Sequence, residues 1–206
     1  MGASMDDGYI KYTSTRRDGR VLPSATLDEL NRARTTLFDL GLIGVYDNGV
    51  GYGNLSVRVN DGNQFVITAS ATGARRILQM EQFCLVESFS TDDNHVQSMG
   101  SLPASSESMT HGAIYAAHPG VHCVIHVHCR ILFDHLLQTG APATPADVPY
   151  GTPAMADRVA QLVTWQPLLP SVFAMAGHMD GVVAYGADTA STLDALCALL
   201  QRISTP

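Results

Sequence analysis

The sequence predicts an α/β fold in which helices cover a mixed sheet. Short apolar or alternating runs are interleaved with segments whose apolar residues recur at helical spacing. Some of the predicted strands are joined by tight glycine turns instead of helices, which makes the sheet mixed. The chain has 206 residues, 46% of them hydrophobic, enough for one buried core, and no repeat or linker divides it.

Residues 1–25 are polar and glycine-bearing and read as a flexible tail, leaving residues 26–206 as a single domain. Thr26-x-x-Glu29 is a capping box opening a helix, with Leu27, Leu30, Leu37 and Leu40 as its apolar stripe and Gly41 and Gly44 as its stop. In DNGVGYGNLSVRV, Leu55, Val57 and Val59 alternate with Ser56 and Arg58, so a strand follows the glycine turn. Asp61-Gly62 is the hairpin turn to a return strand from Gln64 to Thr68, which runs into ITASATGARR. Gln82 to Glu87 is a further strand, and residues 88–101 read as a polar connection. Ser105-Ser106-Glu107 opens a helix to about Ala117, ended by Pro119-Gly120. Val121 to Cys129 is a strand, Ile131 to Gln138 a short helix, and Pro142, Pro145 and Pro149 mark a long loop. Thr152 caps the next helix, with Pro153 at its first turn and its end near Val163. Strands at Val172–Ala176 and Val182–Tyr185 flank GHMDG, and Asp188 caps a last helix that buries Leu193, Leu196 and Leu200.

Composition excludes several functions. The formal charge is −7 and Lys11 is the only lysine, a balance that repels nucleic acid and anionic membrane surfaces. Arg16, Arg17 and Arg20 form a short basic cluster read as solvated or as an oligomer contact. Cys84, Cys123, Cys129 and Cys197 form no CxxC pair, so neither a disulfide framework nor a thiolate metal site is expected. No apolar run reaches the length of a membrane span, and MGASMDDGYIK lacks the pattern of a signal peptide. A cytoplasmic location is the expectation.

The chemistry concentrates in histidines. Side chains alternate along a strand, so His126 and His128 project from one face while Cys123, Ile125 and Val127 take the other. Two imidazoles so spaced can share a divalent ion, zinc first. His-x-His also occurs as a surface pair or a hydrogen-bonded core pair. The apolar flanks of VHCVIHVHC argue against a wet surface, and one ion satisfies both rings. His122 shares the face but sits further back and reads as non-ligating. His178, in a turn between two apolar strands, is the third candidate, leaving a fourth coordination position open as catalytic zinc sites do. Glu107, in the first turn of its helix, reads as a capping carboxylate, a ligand or a base. His111, four residues on, lines the pocket or packs beside it.

Three polar turns, Gly53-Asn54-x-Ser56, Thr72-Gly73 and Ser105-Ser106, could hold a phosphate on backbone amides without lysine, or serve only as turns and helix caps. Neither a P-loop nor a dinucleotide fingerprint is present, and no organic cofactor is expected.

Taken together, these residues resemble the class II aldolase and adducin-like family over about residues 26–200. ASSESMTHGAIYAAHPGVHCVIHVH is similar to that family's SSE helix and His-x-His strand, GYGNLSVR to its glycine-asparagine phosphate loop, and ITASATG to its threonine/serine-glycine loop. PYGTPAMADRV and AGHMDGVVAYG resemble the segments ahead of and around the third metal ligand, although His-Met-Asp-Gly makes a longer loop than the family's ligand-glycine pair.

The resemblance implies a three-layer sandwich with a largely antiparallel central sheet. It implies a zinc ion (or manganese, cobalt or another divalent ion) on His126, His128 and His178, and Glu107 as acid/base. Gly53, Asn54, Thr72, Gly73, Ser105 and Ser106 would form a phosphate cradle. The implied enzyme is a homotetramer with active sites between subunits. It would act as an aldolase-type lyase on a small phosphorylated sugar or sugar acid through a metal-stabilised enediolate. Decarboxylase, dehydratase and epimerase reactions, and a non-catalytic adducin-like assembly domain, are the alternatives.

Overall fold

The computed structural model describes residues 9–19 and 24–204. The first strand, β1 (Thr13–Arg17), precedes α1 (Ser24–Asp39), a small hairpin of β2 (Gly44–Val45) and β3 (Gly51–Tyr52), and then β4 (Asn54–Arg58) and β5 (Phe65–Thr68). Next come β6 (Phe83–Ser90), β7 (His95–Met99), α2 (Ser108–Ala117), β8 (Cys123–His128), α3 (Arg130–Gln138) and β9 (Ala143–Thr144). The chain closes with α4 (Pro153–Trp165), β10 (Ser171–Met175), β11 (Gly181–Gly186) and α5 (Thr189–Ser204).

Nine strands form one sheet in the order β1-β7-β6-β5-β4-β8-β11-β10-β9. Only its two outermost pairs, β1/β7 and β10/β9, are parallel. Two apolar layers separate the faces. On one, Met109, Ala113 and Ile114 of α2 and Met155, Val159 and Val163 of α4 pack on Phe65, Ile67, Val124, Val183 and Tyr185. On the other, Leu27, Leu30 and Leu37 of α1, Leu132 and Leu136 of α3 and Leu196 of α5 pack on Leu55, Val57, Ile125, Val127 and Val182. The predicted mixed sheet between helical layers is therefore the observed fold. The central strands are covered on both faces, which is why β5 and β11 are buried at every position.

The local signals hold where they rest on turn chemistry. Thr152 accepts a hydrogen bond from the Met155 amide with Pro153 in the first turn of α4, and Asp188 accepts one from the Ser191 amide. Gly41, at φ +70°, ends α1 as the Leu42 amide reaches back to the Leu37 carbonyl.

Several expectations are corrected. Within the segment read as a flexible tail, residues 13–17 are an edge strand; residues 1–8 and 20–23, Arg20 among them, lie outside the described residues. All five β1 side chains are exposed, so no apolar alternation betrays a strand held by backbone pairing. The polar connection at 88–101 is the hairpin between β6 and β7, whose exposed positions are polar and whose buried ones include Val96 and Ser98. Helix α1 begins before Thr26, so Thr26 is inside it. Leu40 is half exposed beyond the end of α1 and leaves the buried stripe, whereas Arg34, fully buried, lies on it.

Candidate metal centre and its polar loops

The site grows from β8. His126 pairs with Asn54 of β4 on one side and Val183 of β11 on the other, while His128 pairs with Gly181. The alternation of β8 turns His126 and His128 toward the α2/α4 face, with Val124, and sends Ile125 and Val127 to the opposite core. His122 is exposed and apart from the cluster.

His178 arrives from the turn between β10 and β11. Its amide donates to the Met175 carbonyl at 2.8 Å and its carbonyl accepts from the Gly181 amide at 2.9 Å. Two glycines make the approach possible. A Cβ on Gly181 would stand 3.2 Å from Cγ of His178 and 3.3 Å from Cε1 of His126, and one on Gly177 would stand 1.8 Å from the Val148 carbonyl oxygen. The ring centroids of His126, His128 and His178 are 5.1 Å or less apart, and one ligand atom from each lies within 4.8 Å of the others.

The donor set fits a divalent ion. Nε2 of His126 and Nε2 of His128 face each other at 3.1 Å. Burial first, and the neighbouring imidazoles second, hold His126 well below its ordinary pKa, so the ring is neutral and its lone pair is available. Three buried imidazoles converging from two elements suit zinc. Tyr46, from the β2–β3 turn, places its hydroxyl 2.5 Å from Nδ1 of His128. Tyr150 stacks on His178 at 4.2 Å between ring centroids, and the Lys11 ammonium sits 3.8 Å above the Tyr150 ring.

Glu107 stands at the edge of this cluster. It is the residue before α2, yet its carboxylate makes no capping bond. Oε2 accepts from the Thr110 hydroxyl at 2.8 Å, while Oε1 lies 3.6 Å from Nδ1 of His178. The capping reading thus gives way to a buried carboxylate turned toward the histidines. His111 is wholly buried behind them: its Nδ1 is 2.7 Å from the Ser56 hydroxyl, itself 2.8 Å from the Tyr115 hydroxyl. Burial pushes His111 down to about 3, so it too is neutral.

The three polar turns are neighbours. Gly51 and Gly73 touch, since a Cβ on Gly73 would fall 2.8 Å from Cα of Gly51 and 2.1 Å from the Gly44 carbonyl oxygen. Gly53 is at φ +76° with no room for a side chain beside Ile43, and Asn54 follows with its side chain buried. A bridge between Ala69 and Ala104, with the Ser70 amide on the Pro103 carbonyl, lays the Thr72-Gly73 loop beside Ser105 and Ser106. Not every hydroxyl faces outward: Thr72 donates to its own turn at the Ala69 carbonyl, and Ser105 accepts from the Glu107 amide.

Tyr46, Tyr150 and Arg34 went unread in the sequence. No spacing rule ties Tyr46 or Tyr150 to a histidine far along the chain. Arg34 carried a signal, because it interrupts a leucine stripe at helical spacing.

The family model described as Class II Aldolase and Adducin N-terminal domain matches residues 46–203. Among solved structures, L-fuculose-1-phosphate aldolase from Thermus thermophilus is 20% identical with a TM-score of 0.62, over 88% of this chain and 92% of its own. The sugar-phosphate aldolase from Thermotoga maritima is 20% identical with a TM-score of 0.63, over 87% of this chain and 92% of its own. An aldolase II superfamily protein from Pseudomonas syringae is 16% identical with a TM-score of 0.60, over 90% of this chain and 77% of its own. Likeness at these identities speaks to the fold. Among curated proteins none matches the sequence. No described helix is long and apolar enough to cross a membrane.

Proposed function

Because the chain belongs to the class II aldolase and adducin family, we propose that it is a metal-dependent lyase of the aldolase type. Its substrate is a small phosphorylated sugar or sugar acid. The observation that carries this reading is the convergence of His126, His128 and His178 beside the carboxylate of Glu107.

His126, His128 and His178 would hold a divalent ion, zinc first, with manganese or cobalt as substitutes. Bound there, the ion supplies Lewis-acid polarisation of a substrate carbonyl and hydroxyl. The remaining work belongs to the chain. Oε2 of Glu107 accepts from Thr110, and Oε1, turned toward His178, is the atom that takes a proton from the substrate and returns it. Tyr46 orients His128, and Tyr150 orients His178 by stacking on it. Amides and hydroxyls of the loops at Gly53, Asn54, Thr72, Gly73, Ser105 and Ser106 hold the phosphate, so binding energy remote from the reacting carbons positions them. His111 closes the inner wall of the pocket as a neutral ring.

The intact histidine cluster favours an enzyme over a purely architectural role. The enzyme is a cytoplasmic homotetramer with its sites between subunits. A screen of zinc-loaded protein against phosphorylated ketoses and sugar acids, with products identified by mass, tests the assignment. Cleavage into two carbonyl-bearing fragments is expected. Loss of carbon dioxide or of water as the sole event would replace the aldolase reading with decarboxylation or dehydration, and no turnover across the panel would remove it.

A further inference from the structure

Among the described residues Arg34 is one of the largest side chains shut completely away from solvent, and it occupies a core position of α1 in line with Leu27, Leu30 and Leu37. Among the described residues no carboxylate pairs with it, and burial is the one influence on its acidity, pushing it down to about 10, still charged at neutral pH. An ionised group in such a place is retained only against a large desolvation cost. What it touches is the Thr72–Arg75 loop. Nη2 donates to the carbonyls of Thr72 and Arg75, both at 2.7 Å, and Nε donates again to Arg75 at 2.9 Å.

Peptide geometry gives this contact a direction. In a trans peptide the carbonyl and the amide point opposite ways. With the Thr72 carbonyl drawn inward onto the guanidinium, the Gly73 amide of the same peptide points away from it. Among the described residues that amide donates no hydrogen bond within the chain. Its nitrogen lies 3.3 Å from where a Cβ of Gly51 would stand, beside the turn that leads to Asn54.

We propose that Arg34 is the positive charge of the oxyanion cradle, acting through the Thr72–Gly73 peptide so that the Gly73 amide receives the phosphate of the substrate. The inference rests on the reading of these loops as a phosphate cradle and names a buried charge behind it, distinct from Arg75 and Arg76 on the loop itself, which lie on the exposed side. Arg34 does not touch the anion. It is a positioning residue that polarises the peptide between them, where the low-dielectric interior lets a charge act at longer range than in water. The arrangement also explains why the loop carries glycine: Gly73 is pressed backbone to backbone against Gly44, which leaves only its amide to present.

Inorganic sulfate, a dianion throughout the neutral and alkaline range, is the probe, titrated calorimetrically into the zinc-loaded full chain. Wild type binds it, Ser106→Ala weakens it, and Arg34→Met weakens it by about tenfold or more with zinc content unchanged. Arg34→Lys binds better than Arg34→Met at pH 7, because the ammonium restores the charge. A role in folding alone predicts instead that the two substitutions weaken binding equally. That outcome, or sulfate binding by Arg34→Met at wild-type strength, overturns the inference while leaving the cradle intact. Absence of sulfate binding by wild type removes the cradle and this inference with it. Should the variants not fold, amide proton–nitrogen spectra of wild type decide: sulfate must move the Gly73 resonance, and movement elsewhere in the three loops without it refutes the proposal.

Discussion

The hydroxyl of Tyr46 lies 2.5 Å from Nδ1 of His128, on the edge of the ring opposite the Nε2 that faces His126. That one contact selects which nitrogen of His128 is turned to the site, the task that outer-sphere partners of metal-bound histidines perform. Tyr46→Phe should leave the fold intact and weaken zinc affinity by roughly 10–100-fold, read by competition with a chromophoric chelator. An unchanged affinity would show that packing of the β2–β3 turn alone holds the ring.

His126→Ala removes one of three convergent imidazoles. Zinc content measured by elemental analysis should fall from about one ion per chain to near none after dialysis. Full occupancy in the variant would exclude His126 from the ligand set.

Glu107→Gln keeps the shape of the side chain and the bond from Thr110 but removes the base. Zinc content should be unchanged, and kcat should fall by about 10²–10⁴-fold on the substrate found by screening. Equal turnover by the variant would transfer the proton to another group.

Gly177→Ala acts on the third histidine from behind. The new methyl would meet the Val148 carbonyl oxygen at 1.8 Å, so the turn carrying His178 must shift. The expected cost is about 1–3 kcal/mol in a urea melt, with weakened zinc binding as the second readout. A variant as stable and as tight as wild type would mean that the 145–148 loop yields instead.

In chelator-treated protein, pH reports on the buried rings. His111 and His126 have folded pKa values below the ordinary 6.5, with His111 at about 3. Well above 6.5 both states hold the rings neutral, and these two rings contribute no pH dependence. Below it the unfolded chain takes up protons that the folded chain refuses, so stability falls with falling pH, for His111 down to about 3. The slope is up to about 1.4 kcal/mol per pH unit for each ring. Urea midpoints should therefore be lower at about pH 5 than at about pH 7, and His111→Gln should shrink that difference. An undiminished difference in the variant would assign the proton uptake elsewhere.

The local features legible in the sequence rest on short-range geometry. His126 and His128 share a face because strand side chains alternate, and Thr152-Pro153 and Asp188 cap helices because the required groups lie within three residues of one another. Edge strand β1 was illegible because its exposed polar side chains carry no pattern. The β6–β7 hairpin hid for a related reason: Val96 is the only aliphatic residue at a buried β7 position, too little alternation to signal a strand. The role of Arg34 is not legible in the sequence because charge at a helix position ordinarily means solvent, and nothing within α1 reveals the carbonyls of Thr72 and Arg75 beneath it.

By itself the amino-acid order determined which segments bury, which residues cap and turn, and that two imidazoles project together from one strand. Those are properties of a few consecutive bonds. Only the tertiary structure decided that His178 completes the group through the space left by Gly177 and Gly181, that Glu107 turns inward instead of capping, and that Arg34 grips the Thr72–Arg75 loop. Such contacts join residues that no local rule relates. They exist because packing nine strands between two helical layers leaves each buried polar atom a short choice of partners.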